Sequence, residues 1–170
     1  MSEFKRIRPD AMSGNFISQI GSQWALLTAA KPDGTYNTMT VSWGGVGVLW
    51  GKPVCFLFVR PQRYTHEFTE AGDRITLSFF GDTYREKLAY CGRVSGRDTD
   101  KAADCGLTPA RKDGYVFFAE ASRVIACRKL YADEIREGGF LDPATVEAHY
   151  KTKDFHTVYV CEIVAAADAV

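Results

Sequence analysis

Two stretches of the chain place chemistry-bearing side chains at usable spacing. In Tyr36-Asn-Thr-Met-Thr-Val-Ser42 the β-branched residues and a two-residue alternation read as a strand. That period puts Tyr36, Thr38, Thr40 and Ser42 on one face and Asn37, Met39 and Val41 on the other. One face therefore carries four hydroxyls. The second stretch, Arg60-Pro-Gln-Arg63-Tyr-Thr65, joins an apolar run to a helical pattern. Two guanidinium forks, a Thr hydroxyl and the free N–H groups of a helix start together make a site for a phosphate dianion. The same residues also suit a strand ending at a solvated arginine and a helix capped by Thr65. Thr and Ser likewise occupy surface strands for β-propensity alone. The hydroxyl strand lying just before the basic turn favours the anion site over the purely structural reading.

Other chemistries find little support. His66, His149 and His156 have no metal-ligand spacing, and no Gly-x-Ser-x-Gly elbow supplies a hydrolytic nucleophile. The third glycine of Gly45-Val-Gly-Val-Leu-Trp-Gly51 falls one position late for a dinucleotide fingerprint, and Gly51-Lys52 is followed by Pro53, which excludes a P-loop. These glycines suit a bend or bulge in a strand. Cys55, Cys91, Cys105, Cys127 and Cys161 are odd in number and form no Cys-x-x-Cys pair, so they read as small buried apolar residues, without a disulfide framework or zinc site. An enzyme of this composition would leave its chemistry to a bound organic cofactor.

Lys plus Arg and Asp plus Glu are 21 each, so no global field draws the protein to nucleic acid or an anionic membrane. The longest apolar run, Val54 to Val59, is far below the roughly 20 residues of a membrane helix. Met-Ser-Glu-Phe-Lys-Arg at the N-terminus has no signal-peptide apolar core. A cytoplasmic location is the expectation.

The elements that must position these residues are mostly strands. Trp24 to Ala30 and Tyr36 to Ser42 flank Lys31-Pro-Asp-Gly34, a hairpin signal. After Gly44 to Gly47, Pro53 to Arg60 reads as a buried strand. Thr65 is expected to cap a short helix closing near Gly72, and Thr83-Tyr-Arg-Glu86 matches a capping box opening a helix that stops at Gly92. Arg74 to Phe80, Tyr115 to Ala121, Arg123 to Ile135 and Thr157 to Ala165 read as strands, and Ser95 to Pro109 as a loop with one helical turn around Asp100 to Cys105. Asp142-Pro143 supplies an N-cap and N1 proline for a helix towards Tyr150. About seven strands with a few short helices predict one mainly β domain, a β-barrel with helical decoration.

Read together, several motifs resemble the flavin reductase-like family, which includes flavoredoxin and shares the FMN-binding split β-barrel. They are Asn37-Thr-Met-Thr-Val-Ser-Trp43, Lys52-Pro-Val54, Val59-Arg-Pro-Gln-Arg-Tyr-Thr65, Ser95-Gly-Arg-Asp-Thr-Asp-Lys101 and Gly106-Leu-Thr-Pro109. The resemblance spans most of the chain. It implies that Asn37, Thr38, Met39, Thr40 and Ser42 lie along the isoalloxazine and ribityl parts of FMN, with Trp43 bordering the ring or filling core. Arg60, Arg63, Tyr64, Thr65 and Lys101 would hold the phosphate. Asp154-Phe-His156…Cys161-Glu162 is similar to a strand of small flavin reductases whose histidine lies near flavin and nicotinamide, although Cys161 replaces the usual glycine and Phe155 is inserted. The resemblance thus implies a catalytic role for His156, NADH or NADPH as co-substrate, a homodimer, and a flavin, oxygen, metal complex or redox protein as acceptor. Two alternatives are a flavoredoxin-like electron carrier and a non-redox binder of another phosphorylated ligand.

Overall fold

In the computed structural model, which describes residues 3–170, the hairpin signal forms as expected. β2 (Ala25–Ala30) pairs with β3 (Tyr36–Val41) around a turn in which Gly34 adopts φ +85° and Asp33 Oδ1 accepts the Thr35 N–H at 2.8 Å. Three strands lie outside those predicted. β1 (Phe4–Ile7) pairs along the C-terminal strand, β4 (Gly44–Leu49) pairs with β5 (Lys52–Val59), and β7 (Pro109–Lys112) pairs with β8 (Tyr115–Phe118). The glycines expected to bend a strand therefore form most of a strand of their own. Trp50 and Gly51, both at positive φ, close β4 onto β5, as a two-residue type I′ turn requires. At Gly44, φ is +140° and a Cβ would fall 2.6 Å from the Phe56 carbonyl oxygen, so only glycine fits the corner.

With β6 (Arg74–Phe79), β9 (Arg123–Glu134) and β10 (Thr157–Ala169), the main sheet runs β3-β2-β6-β9-β10-β5-β4, with β1 on β10, all antiparallel. β3 and β4 stand at opposite ends of this order yet are joined by only Ser42 and Trp43. The sheet must curl until its edges approach, which gives the expected barrel. Neighbouring residues point to opposite sides: Leu27, Met39, Val41, Leu57, Val59, Ile75, Ile125 and Tyr159 fill the interior. Leu26 and Val124 point outward instead, where they pack with Leu88, Cys91, Ala102, Leu107 and Phe118. That outer layer comes largely from α3 (Arg85–Arg93) and α4 (Lys101–Asp104), the latter capped by Asp100. All five cysteines are free and buried.

Three other α-helices complete the chain. α1 (Phe16–Ser18) is capped by Asn15, α2 (Tyr64–Ala71) follows the basic turn, and α5 (Pro143–His149) is capped by Asp142 as expected. The expected Thr65 cap is not found. Arg63 is the N-cap of α2, without a side-chain cap bond, and Thr65 is the second helical residue, 1% exposed. The capping box is also not formed, since Asp82–Tyr84 make a 3-10 turn and Tyr84 precedes α3 without a side-chain cap. Among the described residues no helix is long and apolar enough to cross a membrane.

Candidate functional site

β3 is an edge strand, and two depressions share it. One, of about 250 Å³, is lined by Met39 to Trp43, Phe58, Arg60, Arg63, Gly92 and His156. The other, of about 330 Å³, lies between Tyr36–Thr38 and the Gly96–Ala102 segment. A more enclosed apolar cavity of about 400 Å³ sits under the β7–β8 hairpin. Its buried polar residue, Thr76, already donates its hydroxyl to the Val116 carbonyl, so few convergent polar groups are left there.

The hydroxyl face is less open than its sequence pattern implies. Thr38 Oγ1 donates to the Leu27 carbonyl at 3.1 Å and accepts from Thr28 Oγ1 at 3.0 Å. Thr40 Oγ1 donates to the Leu88 carbonyl on α3 at 2.5 Å. What β3 offers outward is backbone. Lys101 Nζ donates to the Thr38 carbonyl at 2.9 Å, so Thr38 turns its backbone polar groups away from β2. The two-residue period of an antiparallel ladder then aims those of Tyr36 and Thr40 the same way. Asn37 and Met39 point inward. Met39 joins the barrel core, while Asn37 Nδ2 donates to Thr65 Oγ1 at 2.7 Å and its Oδ1 packs on Gly96, where a Cβ would meet it at 1.9 Å.

The basic residues divide into two groups. Arg60 is neutralised: Nη1 reaches Asp154 Oδ2 at 2.5 Å, Nη2 donates to the His149 carbonyl at 2.7 Å, and the guanidinium lies 5.1 Å over the Tyr150 ring. Asp154 is held far below the usual carboxylate range by its hydrogen bonds with Thr152 and Arg60. Arg63 and Lys101 have no such partner. Arg63 Nη1 donates to the Gly92 carbonyl at 2.7 Å, and burial lowers the guanidinium's proton affinity. Lys101, 4% exposed, donates to the Thr38 and Cys91 carbonyls, each at 2.9 Å. Burial, then the charge on Arg63, pulls it down from 10.5 to about 8. Among the described residues neither cation makes a salt bridge. Two neighbouring uncompensated cations, Lys101 buried and Arg63 half-buried, are costly unless an anion completes the site.

Tyr64 sits edge-on to Phe68 and beneath Arg97, whose guanidinium is 4.6 Å above its ring and also pairs with Glu67. At the opposite end of the cleft, Trp43 is 45% exposed and meets His149 and His156 at centroid distances of 5.3 and 5.2 Å. Ser42 lines the cleft beside it. His156 is 7% exposed. Its Nδ1 is 2.8 Å from the Tyr150 hydroxyl, and burial, with Arg60, lowers it to about 4 against the opposing pull of Asp154. The ring is neutral throughout the physiological range.

The fold thus gathers Ser42, Trp43, Arg60, Arg63, His156 and Lys101 around β3, and leaves Met39 and Thr65 as buried supports. Gly92, Tyr150 and Asp154 were not foreseen. Asp154 meets Arg60 across 94 residues, a pairing for which local sequence carries no signal. Among the described residues no cluster of His, Cys, Asp or Glu could hold a metal ion.

A family model described as "Flavin reductase like domain" matches residues 17–169. No curated protein matches the chain. Among solved structures, an FMN-binding domain of a flavin reductases-like enzyme from Shewanella baltica OS155 superposes with a TM-score of 0.69 at 16% identity, covering 99% of this chain and 78% of that one. Flavoredoxin of Desulfovibrio vulgaris (Miyazaki F) gives 0.68 at 18% identity over 96% and 77%. The styrene monooxygenase flavin reductase from Pseudomonas putida S12 gives 0.63 at 17% over 86% and 79%. At these identities the structures speak for the fold, a split barrel.

Proposed function

Because this chain belongs to the flavin reductase like domain family, we propose that it binds FMN non-covalently and acts as an oxidoreductase. The observation that carries this reading is the pair of half-buried Arg63 and buried Lys101, beside an edge strand and lacking a counter-ion among the described residues. These two residues would hold the phosphate. Lys101 spends two of its three donors on carbonyls and retains one, and Arg63 keeps most of its fork. The outward backbone groups of Tyr36 and Thr40 would meet the polar parts of the cofactor, and Ser42, Trp43 and His156 would border its ring. Arg60 contributes through position, clamping the 149–154 segment against the cleft.

Bound FMN would supply acceptance of a hydride from NADH or NADPH and delivery of electrons to a flavin, oxygen, a metal complex or a protein. The chain's part is to bind, orient and shield, with His156 as a neutral ring next to the reacting zone. A homodimer is part of the same proposal, and the exposed apolar residues Val48, Trp50, Leu130 and Tyr131 support it. Flavoredoxins among the structural relatives favour a second reading, an FMN electron carrier with little NAD(P)H activity of its own. Titrating purified protein with FMN tests the first claim: no uptake refutes it. With FMN bound, NADH and NADPH oxidation in the presence of added acceptors separates reductase from carrier.

A further inference from the structure

Tyr150 closes α5, its backbone N–H returning to the Val146 carbonyl at 2.8 Å. Its side chain is clamped on several sides. Phe155 stacks on the ring at 4.8 Å and 30°, Phe140 lies tilted at 5.7 Å, and the Arg60 guanidinium covers a face at 5.1 Å. The residue is 5% exposed, and burial keeps the phenol protonated. This cage leaves the hydroxyl 2.8 Å from His156 Nδ1.

A neutral imidazole carries one N–H and one bare nitrogen, so this contact has two possible directions. Were Nδ1 protonated, the phenol oxygen would accept, and the phenol's own proton would need another acceptor. Among the described residues His156 Nδ1 and the phenol oxygen have only each other. A buried donor left unused is costly. The phenol therefore donates to Nδ1, and the ring proton resides on Nε2. His156 lines the cleft beside Trp43 and Phe58 with Nδ1 turned to Tyr150, so Nε2 is on the ring's free edge.

We propose that Tyr150 is a positioning residue that fixes the Nε2–H tautomer of His156, so that the cleft offers a neutral N–H donor to a carbonyl oxygen of its ligand. The identity of that ligand rests on the FMN reading, whereas the tautomer does not. The charged groups facing the imidazole are Arg60, which disfavours its protonation, and Asp154, which favours it. His149 approaches the same patch through Trp43, and Tyr150 itself stays neutral. The donor is therefore maintained through neutral pH.

Long-range 1H–15N spectra of the histidine rings, recorded without flavin and assigned by loss of a signal in His156→Gln, test this directly. Wild type is expected to show the Nε2–H pattern at pH 7. Tyr150→Phe removes the bond that favours the neutral ring, so it should give a mixed tautomer and raise the proton affinity of His156 about tenfold. An Nδ1–H pattern in wild type overturns the proposal without any variant, as do an unchanged tautomer and titration in Tyr150→Phe. Failure to bind FMN would remove the functional reading and leave these spectra as they are.

Discussion

Raising the pH across the titration of Lys101 probes the proposed phosphate end of the site without any change of sequence. The ammonium is buried, and its proton affinity falls from 10.5 to about 8, first through burial and then through Arg63. For a lysine this is a depressed value, so the folded chain holds the proton less firmly than the unfolded chain. At about 1.36 kcal/mol per pH unit, the charged side chain costs the ligand-free protein about 3 kcal/mol below pH 8, and the cost is relieved as pH climbs from 8 towards 10.5. A bound phosphate dianion supplies the missing counter-charge and retains the proton. Between pH 7 and pH 9 the free protein loses most of that charge, so the Kd for FMN should rise about tenfold. Riboflavin, which lacks the phosphate, should show no such rise. Quenching of flavin fluorescence at constant ionic strength measures both, and Lys101→Met should flatten the FMN profile. Parallel curves for the two flavins, or an FMN affinity that stays level to pH 9, would refute the reasoning.

The two arginines of the basic turn should respond differently. Arg63→Ala is expected to weaken FMN by about 1.5–3 kcal/mol, with little effect on riboflavin, because it deletes a charged donor; an equal loss for both ligands would place the phosphate elsewhere. Arg60→Ala strips Asp154 and the His149 carbonyl of their partner, so its cost should fall on stability. A loss of about 1–3 kcal/mol in urea unfolding is expected, and an unmoved midpoint would contradict that role. Gly96→Ala drives a Cβ to 1.9 Å from the buried Asn37 Oδ1, and should cost about 1–3 kcal/mol through overpacking. Gly45→Ala meets nothing within 4 Å and serves as the control in the same melts.

Much of the fold was legible wherever one local rule acted alone. The Lys31–Gly34 hairpin, the buried β5 strand and the aspartate cap at Asp142 depend on turn chemistry, apolar runs and short side-chain reach. β4 was hidden because its glycines give no strand pattern, and it is a strand through residue-by-residue pairing with β5. Its turn was hidden too, since Trp50 occupies a positive φ that usually advertises itself by glycine or asparagine. Thr65 misled for a related reason. Its hydroxyl looked available for capping, but Asn37, 28 residues away, donates to it inside the barrel wall.

The sequence by itself determined the inventory of the site: a strand with outward and inward faces, two arginines at a helix start, a lysine in a short helical turn of a polar loop, and a histidine before the last strand. These depend on residue type and on periods of two and 3.6, which act over a few positions. Only the tertiary structure decided what each of them does. Arg60 and Arg63 are equivalent on paper, yet Asp154 neutralises one, while burial beside Lys101 leaves the other uncompensated. Thr38 and Thr40 lose their hydroxyls to carbonyls on β2 and α3, and Tyr150 sets which nitrogen of His156 is bare. The physical reason is that charge compensation and hydrogen-bond satisfaction belong to pairs of groups. In a barrel those pairs are assembled by strands distant in the chain.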